Sequence, residues 1–318
     1  MTDSKNDLII PIVVTYNGSN WIEKCLSSLI RNVPEYDIIV IDNNSSDDTV
    51  SIIESRYSSI TLIKSAQNIG FGNANNIGLK IAYSKNANYI LLLNQDSWIQ
   101  HETISVLIKL CKSDLSIGIL APMNLNTDGT ALEKGCEQEL NPLNCPGILS
   151  DLYLKKTKEV YYINNYINAS CWLVTGDCLK KTGAFEPLFS HYGEDVNYCM
   201  RAKYNGFKIG VALVTNNYHA KDNFVSKLNE QEVIIKKLRS NYLNSGILIK
   251  LTDLNQNYKK VFAYEVRLLV YQIFKDLIKL RMAFVKGYLG ILFFVLSNYN
   301  RMRHHRQLYL TGDSPFLK

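Results

Sequence analysis

The sequence predicts an α/β fold built on a mostly parallel sheet. Three observations carry that expectation: short, near-continuous apolar runs recur from Leu8 to Leu120, segments with helical spacing separate them, and the runs end in polar residues. Strands buried on both faces read as unbroken apolar runs, and the helices that alternate with them cover those faces. In such sheets ligands bind beyond the carboxyl ends of the strands.

The first strand is expected at Leu8–Thr15, ending in Thr15-Tyr16-Asn17. A helix follows on the face marked by Ile22, Cys25, Leu26 and Leu29, with Ser19 or Asn20 as its N-cap. Asp37–Ile41 reads as a second strand that runs into Asp42-Asn43-Asn44-Ser45-Ser46-Asp47-Asp48 and a helix starting near Thr49. The third strand, Ile60–Ile63, leads to Gln67-Asn68-Ile69-Gly70-Phe71-Gly72, and the fourth, Tyr89–Leu93, to Asn94-Gln95-Asp96-Ser97. A helix spaced on Ile104, Leu107, Ile108 and Cys111 precedes a strand at Ile117–Leu120. From about Asn124 to Tyr161 periodicity fades, and a long irregular region is expected there, the usual place for a lid or acceptor contacts. Order returns at Asn168–Val174, then a helix Asp195–Tyr204 closed by Gly206, then a strand Phe207–Val214. Beyond about Val225 a long helical pattern rich in Leu, Ile, Tyr, Lys and Arg takes over. The chain therefore divides into a catalytic-type domain, 1–225, and a helical, basic region, 226–318.

Composition narrows the class. Hydrophobic residues make up 47% and charged residues 20%, ordinary for a globular protein, and the net charge of +6 does not point to nucleic acid. The seven cysteines are odd in number and form no C-x-x-C pair, which argues against a disulfide framework or a zinc site and fits a reducing cytoplasm. The N-terminal residues lack the basic start and small-residue cleavage site of a signal peptide.

The strand ends hold the chemistry. Asp42, at strand register, can accept hydrogen bonds from a nucleobase or ribose, whereas Asp47 and Asp48 read first as turn and capping residues. Gly70, Gly72 and Gly78 do not meet G-x-G-x-x-G, and G-x-x-x-x-G-K-[ST] is absent, so neither a nicotinamide site nor a P-loop is expected. Asp96 sits where a carboxylate could hold a divalent cation beside a departing diphosphate, or could instead cap a helix after Ser97. Glu194 and Asp195 open a helix, where the macrodipole favours their ionised form, and one of them can serve as general base. His219 reads first as structural, with a cation near Asp96 as the alternative.

Taken together, Val13–Asn17, Ile41–Asp47, Gln67–Gly78, Leu91–Asp96 and Gly183–Glu186 through Tyr192–Asp195 to Arg201 resemble the family-2 inverting glycosyltransferases of GT-A fold, in particular the rhamnosyltransferase-like branch. The resemblance implies that Thr15, Tyr16 and Asp42 hold the base and ribose of a UDP- or dTDP-sugar. It extends the donor site over Asn17, Asn44, Asn68, Gly70, Gly72, Asn76 and Gln95. Asp96 takes the last position of the family's D-x-D motif, beside the diphosphate and a Mg²⁺ or Mn²⁺ ion, and His219 matches a metal-binding histidine of some members. Asp195, the second residue of the E-D motif beside Glu194, is the implied base. Two positions depart from the pattern: Asn94 takes the first D-x-D position, leaving one carboxylate there, and Glu186 stands for an aspartate, a change expected to be minor.

The implied reaction is a single displacement. The acceptor hydroxyl, on a saccharide or lipid-linked saccharide, loses its proton to Asp195 and attacks the anomeric carbon opposite the leaving nucleotide, as in surface polysaccharide synthesis. From Lys259 to Arg306 ten Lys and Arg face only Glu265 and Asp276, interleaved with Phe and Leu; Gly287–Leu296 is too short to span a bilayer. This region is expected to lie on a membrane surface at the inner face of the cell membrane, or to pack on the catalytic domain or a second copy of the chain. Two rival readings stand beside the transferase: a sugar-1-phosphate nucleotidyltransferase, for which Thr15-Tyr16-Asn17-Gly18 lacks the basic phosphate loop, and a non-catalytic sugar-binding protein, which Asn94 favours.

Overall fold

The computed structural model describes residues 7–32, 38–220, 229–312 and 314–317. Asp37 and the change of texture at Val225, with the domain division placed there, lie outside the described residues.

The first half alternates as its pattern requires: β1 (Ile9–Thr15), α1 (Ile22–Asn32), β2 (Ile39–Asp42), α2 (Thr49–Arg56), β3 (Thr61–Lys64), α3 (Phe71–Ser84) and β4 (Tyr89–Asn94). β5 (Ser97–Ile99), α4 (Thr103–Ser113) and β6 (Ile117–Leu125) follow. The region expected to be irregular contains two short helices, α5 (Lys134–Glu139) and α6 (Ile148–Tyr153), and β7 (Val160–Tyr162). β8 (Cys171–Thr175), α7 (Gly176–Thr182), α8 (Glu194–Tyr204) and a long β9 (Lys208–His219) complete the sheet layer.

The sheet runs β3-β2-β1-β4-β8-β6-β9-β5, with β7 also paired to β9. β1, β2, β3 and β4 are mutually parallel, as are β6 and β9, while β8, β5 and β7 run against their neighbours. Alternation along β1 sends Ile10, Ile12 and Val14 to one core, with Leu79 of α3 and Phe185, and Ile9 and Val13 to the other, with Leu26 of α1 and Leu107 of α4. Each such fully buried side chain contributes about 1.5–3 kcal/mol, so burial on both faces holds the strand register firmly.

Three local expectations are corrected. The amides of Trp21 and Ile22 both bond to the carbonyl of Gly18, so the turn into α1 closes on Gly18 rather than on a side-chain cap from Ser19 or Asn20. Asp96 caps no helix, because Ser97–Ile99 pairs as a strand with Ile99, Trp98 and Ser97 opposite Asn217, Tyr218 and His219. Trp98 is held between Trp21 and Tyr218, with ring centroids 5.9 and 5.6 Å away, and that stacking fixes the short strand. β9 does not stop at Val214; after an irregularity it continues to His219.

Past the sheet come α9 (Glu230–Lys237), a π-helical segment (Leu238–Leu248), α10 (Ile249–Thr252), α11 (Tyr258–Ile278), α12 (Met282–Ser297) and α13 (Tyr299–Thr311). Leu243, Leu251, Leu269 and Val295 bury a third core together with Leu188 and Phe189 of the loop before α8. The tail then returns to the sheet layer: the amide of Ala184 donates to Pro315 at 2.9 Å, and Leu317 joins the first core. The Glu186 carboxylate lies 2.8 Å from Nδ1 of His305 and also accepts from the Tyr309 hydroxyl, so the residue expected to be a minor departure anchors α13. All seven cysteines are free and buried.

Candidate active site

The loops after β1, β2 and β4 are laced to one another. Gln95 Oε1 accepts from the Thr15 hydroxyl (2.6 Å) and the Tyr16 amide (2.8 Å), and Gln95 Nε2 donates to the Tyr16 carbonyl (3.1 Å). A Cβ on Gly18 would come within 2.2 Å of that same Oε1, so a side chain there would displace Gln95 from this network. Asn17, at φ 50°, accepts from the Ser46 amide (2.8 Å) and donates its own amide to Ser45 Oγ (2.9 Å). Asp47 accepts from the amides of Ser19 and Thr49, the turn-and-capping role its context suggested. Asp42 is buried at the end of β2, its carboxylate taken by the Ser45 amide at 3.2 Å, while Asn44 is exposed and Tyr16 presents an open ring.

The buried Asn43, which sequence reasoning passed over, joins this rim to the next. Its Nδ2 donates to Asn68 Oδ1 (3.0 Å) and its Oδ1 accepts from the Ile69 amide (2.9 Å). Gly70, at φ 84°, lets the start of α3 approach Ser190, whose carbonyl a Cβ would meet at 2.4 Å; Gly72 packs beside Phe185 and Glu194. Asn76 is placed otherwise than expected. Its amide donates to the Phe185 carbonyl (2.9 Å) and accepts from the Phe185 amide (2.8 Å), tying α3 to the loop before α8. Asn68 and Asn76 border a separate crevice of about 710 Å³ with Lys80 and Phe316.

Asp96 and His219 do come together: Nε2 of His219 is 3.5 Å from Oδ1 of Asp96. The Ala220 amide donates to the Asp96 carbonyl at 2.8 Å, continuing the β5–β9 pairing one residue further. Nδ1 of His219 and Oδ1 of Asn94 are buried without a hydrogen-bond partner among the described residues.

A cavity of about 530 Å³ opens beside this pair, within the usual range for small-molecule sites. Asn94 and His219 line it, together with Glu194 and Asp195 at the start of α8. Burial there pushes the Asp195 carboxyl up to about 6, against the pull of the Val196 amide 2.8 Å away. Burial, with the charge of Asp195 second, pushes Glu194 up to about 7, and Glu194 Oε2 has no partner among the described residues. The helix start opposes these shifts without cancelling them.

Glu139 also lines the cavity and was not foreseen. Its carboxylate accepts from the amide and side chain of Asn168 at 3.1 Å, and burial raises it to about 7. Asn168 stands just before β8, whose antiparallel course puts its start beside the end of β4; the Asn94 amide donates to the Ser170 carbonyl at 2.9 Å. Reading only the carboxyl ends of parallel strands therefore misses this wall, and the signal that remained was the polar Asn168-Ala169-Ser170 ahead of an apolar run.

Residues 11–169 match the family model for glycosyl transferase family 2. The chain belongs to that family. Within family 2, Agl10 of Haloferax volcanii, a low-salt glycan biosynthesis hexosyltransferase, is 26% identical over 244 residues, covering 76% of each chain. RfbF of Shigella flexneri, a dTDP-rhamnosyl transferase, is 24% identical over 221 residues, 68% of this chain and 70% of its own. The chain spans 18% of the chondroitin synthase of Escherichia coli, with 25% identity over 124 residues. The fold is shared with residues 1–349 of S. aureus TarS, crystallised with UDP, at a TM-score of 0.52 and 17% identity over 92% of this chain and 91% of that one. It is shared too with GalNAc-T7, crystallised with UDP, GalNAc and Mn²⁺, at a TM-score of 0.55 and 14% identity, covering 83% of this chain and 55% of that one. As a family-2 member the protein is a glycosyltransferase of mixed α/β, GT-A-like fold.

No group of three or more His, Cys, Asp or Glu among the described residues is arranged to hold a metal. The Asp96–His219 pair nonetheless fits as part of a shared site. Asp96 and His219, 3.5 Å apart, would offer a divalent cation one carboxylate oxygen and one imidazole nitrogen.

Proposed function

We propose that the protein transfers a hexose, rhamnose among the candidates, from a UDP- or dTDP-sugar to a saccharide acceptor with inversion, and that Asp195 is the base. The observation that carries this reading is that Asp195 lines the same cavity as Asn94 and His219, the latter next to Asp96. A base and a residue of the diphosphate-binding pair that share one space is what a displacement at the sugar carbon needs. UDP in TarS and Mn²⁺ with UDP in GalNAc-T7 support the donor class and the cation.

Tyr16, with its exposed ring, stacks on the base, and Asp42 accepts from the ribose. Asp96 and His219 hold the cation, which when bound offsets the negative charge growing on the leaving diphosphate. Asp195 takes the proton of the attacking hydroxyl. Glu194 is buried beside it in the same cavity wall.

The acceptor is lipid-linked, and the protein works at the cytoplasmic face of a membrane in glycan synthesis. Support comes from the α11–α12 hairpin, where Phe274, Ile278, Leu280, Met282 and Phe293 are exposed among Lys275, Lys279 and Lys286. Exposed apolar side chains among exposed lysines suit an anionic lipid surface. No single helix among the described residues is long and apolar enough to cross a bilayer.

A thermal-shift screen of nucleotide sugars, with and without Mn²⁺ or Mg²⁺, tests the donor assignment. One UDP- or dTDP-sugar is expected to raise the melting temperature by mass action, more so with the cation. A screen in which none does so would remove the donor reading.

A further inference from the structure

The turn that delivers Asp195 is not held by its own helix. Gly193, the N-cap of α8, has no side chain to cap with. Tyr192 and Gly193 both stand in left-handed backbone, at φ 67° and 92°. A tyrosine keeps that conformation only where its surroundings impose it. Here they include the π-helical segment. The buried Asn244 donates through Nδ2 to the His191 carbonyl (2.6 Å) and to Ser190 Oγ (3.2 Å). A Cβ on Gly193 would meet the backbone carbonyl of Asn244 at 3.1 Å, and one on Gly70 would meet the Ser190 carbonyl at 2.4 Å. The loop is therefore pinched between α3 and the π-helical segment. Further along, Thr252 Oγ1 accepts from the Asn197 side chain of α8 at 2.9 Å.

The chemistry of Asn244 fits holding better than filling. A carbonyl only accepts, so the His191 contact requires an N–H from this side chain. Oδ1 of Asn244 is buried without a partner among the described residues, a penalty that an apolar side chain in the same place would not carry. π-Helical winding is itself rare and tends to occur at functional sites.

We propose that Asn244 is a positioning residue for Asp195: by holding Ser190 and His191 it fixes the turn that sets the Asp195 carboxyl in the cavity. The π-helical segment, which lies in the helical region 226–318, thereby completes the active site. The inference rests on the reading of Asp195 as base; the grip of Asn244 on the loop does not.

The test uses the full chain with Asn244→Ala and with Asn244→Asp, which keeps the size and loses the N–H. Ile108→Ala, in the core on the other face of the sheet, serves as a control for lost stability alone. Hydrogen exchange of residues 190–196 needs no turnover, and it is expected to quicken about ten-fold or more in both Asn244 variants and not in the control. Nucleotide release from UDP-glucose, UDP-N-acetylglucosamine or dTDP-rhamnose then gives kcat and KM. A misplaced base is expected to lower kcat by about 10²-fold while KM for the donor and the affinity for UDP or dTDP hold. Placed on Asp195→Asn, Asn244→Ala is expected to add little further loss, because it acts through a base already removed. Unmoved exchange in the loop, an unmoved kcat, an equal loss of kcat in Ile108→Ala, or a loss that multiplies with that of Asp195→Asn overturns the proposal. Failure of the parent reading looks different: Asp195→Asn transfers sugar at the unaltered rate, while the loop still loosens in the Asn244 variants.

Discussion

Nε2 of His219 lies 3.5 Å from Oδ1 of Asp96, and the two arrive there because β5 and β9 pair antiparallel with Ser97 opposite His219. The spacing is thus a property of a short, aromatic-clamped strand. Asp96→Asn is expected to lower kcat by about 10²–10³, the scale of losing one charge-stabilising group. His219→Ala is expected to shift the Mn²⁺ activation curve to higher metal concentration. Steady-state kinetics across a metal titration checks both, and an unmoved metal dependence in both variants would exclude the pair as a cation site.

Asp195→Asn should reduce transfer by about 10²–10⁴-fold while nucleotide binding persists, since the change removes the base and leaves the strand-end loops intact. Because burial raises Asp195 to about 6, kcat/KM is expected to fall as the pH drops through that value, where the base becomes protonated. A profile flat from pH 5 to 8 would count against Asp195 in this role.

Glu194 ionises near 4.5 when unfolded and near 7 when buried in the fold. Its ionisation therefore costs nothing below 4.5, and stability is lost as the pH rises from there to about 7. The full penalty is on the order of 3 kcal/mol. Glu194→Gln removes it, so the variant should gain stability relative to the parent at pH 8 and not at pH 4. Urea denaturation at the two pH values measures the difference.

His305→Ala leaves the fully buried Glu186 carboxylate without the imidazole 2.8 Å away. Leaving a buried acceptor short of a partner costs about 1–3 kcal/mol, which should appear as a lowered urea midpoint and earlier proteolysis in α13. Glu186→Gln with His305→Ala should recover part of that loss.

The lipid-surface reading is tested by replacing Phe274, Ile278 and Phe293 with Ser and following flotation with anionic vesicles. Bound fraction should drop sharply while the melting temperature stays close to the parent. Deleting everything beyond Leu251 would be a poorer test, because Leu269 and Val295 share a core with Phe189, in the loop that leads to Glu194 and Asp195 at the start of α8. Vesicle binding that survives the three substitutions would move the contact elsewhere.

Much of this molecule was legible residue by residue. The apolar runs before Thr15, Asp42 and Asn94 became β1, β2 and β4, and their polar ends met at one edge, because two-sided burial demands unbroken apolar strands and connections must turn outside them. Asn76 misled because an amide inside a glycine-rich turn carries no mark of whether it faces a ligand or a backbone, and here Phe185 takes both of its bonds. Glu139 escaped because α5 is six residues long, too short to show a period.

The sequence by itself determined the fold class, the strand ends and the residue types that gather there, since these follow from local periodicity and the chemistry of each side chain. Tertiary structure alone decided that Glu139 lines the cavity of Asp195 and that Glu186 holds the last helix. Each of those pairings joins residues far apart in the chain, brought together by antiparallel strand pairing or by core packing. Such contacts depend on how elements dock, which no local pattern encodes.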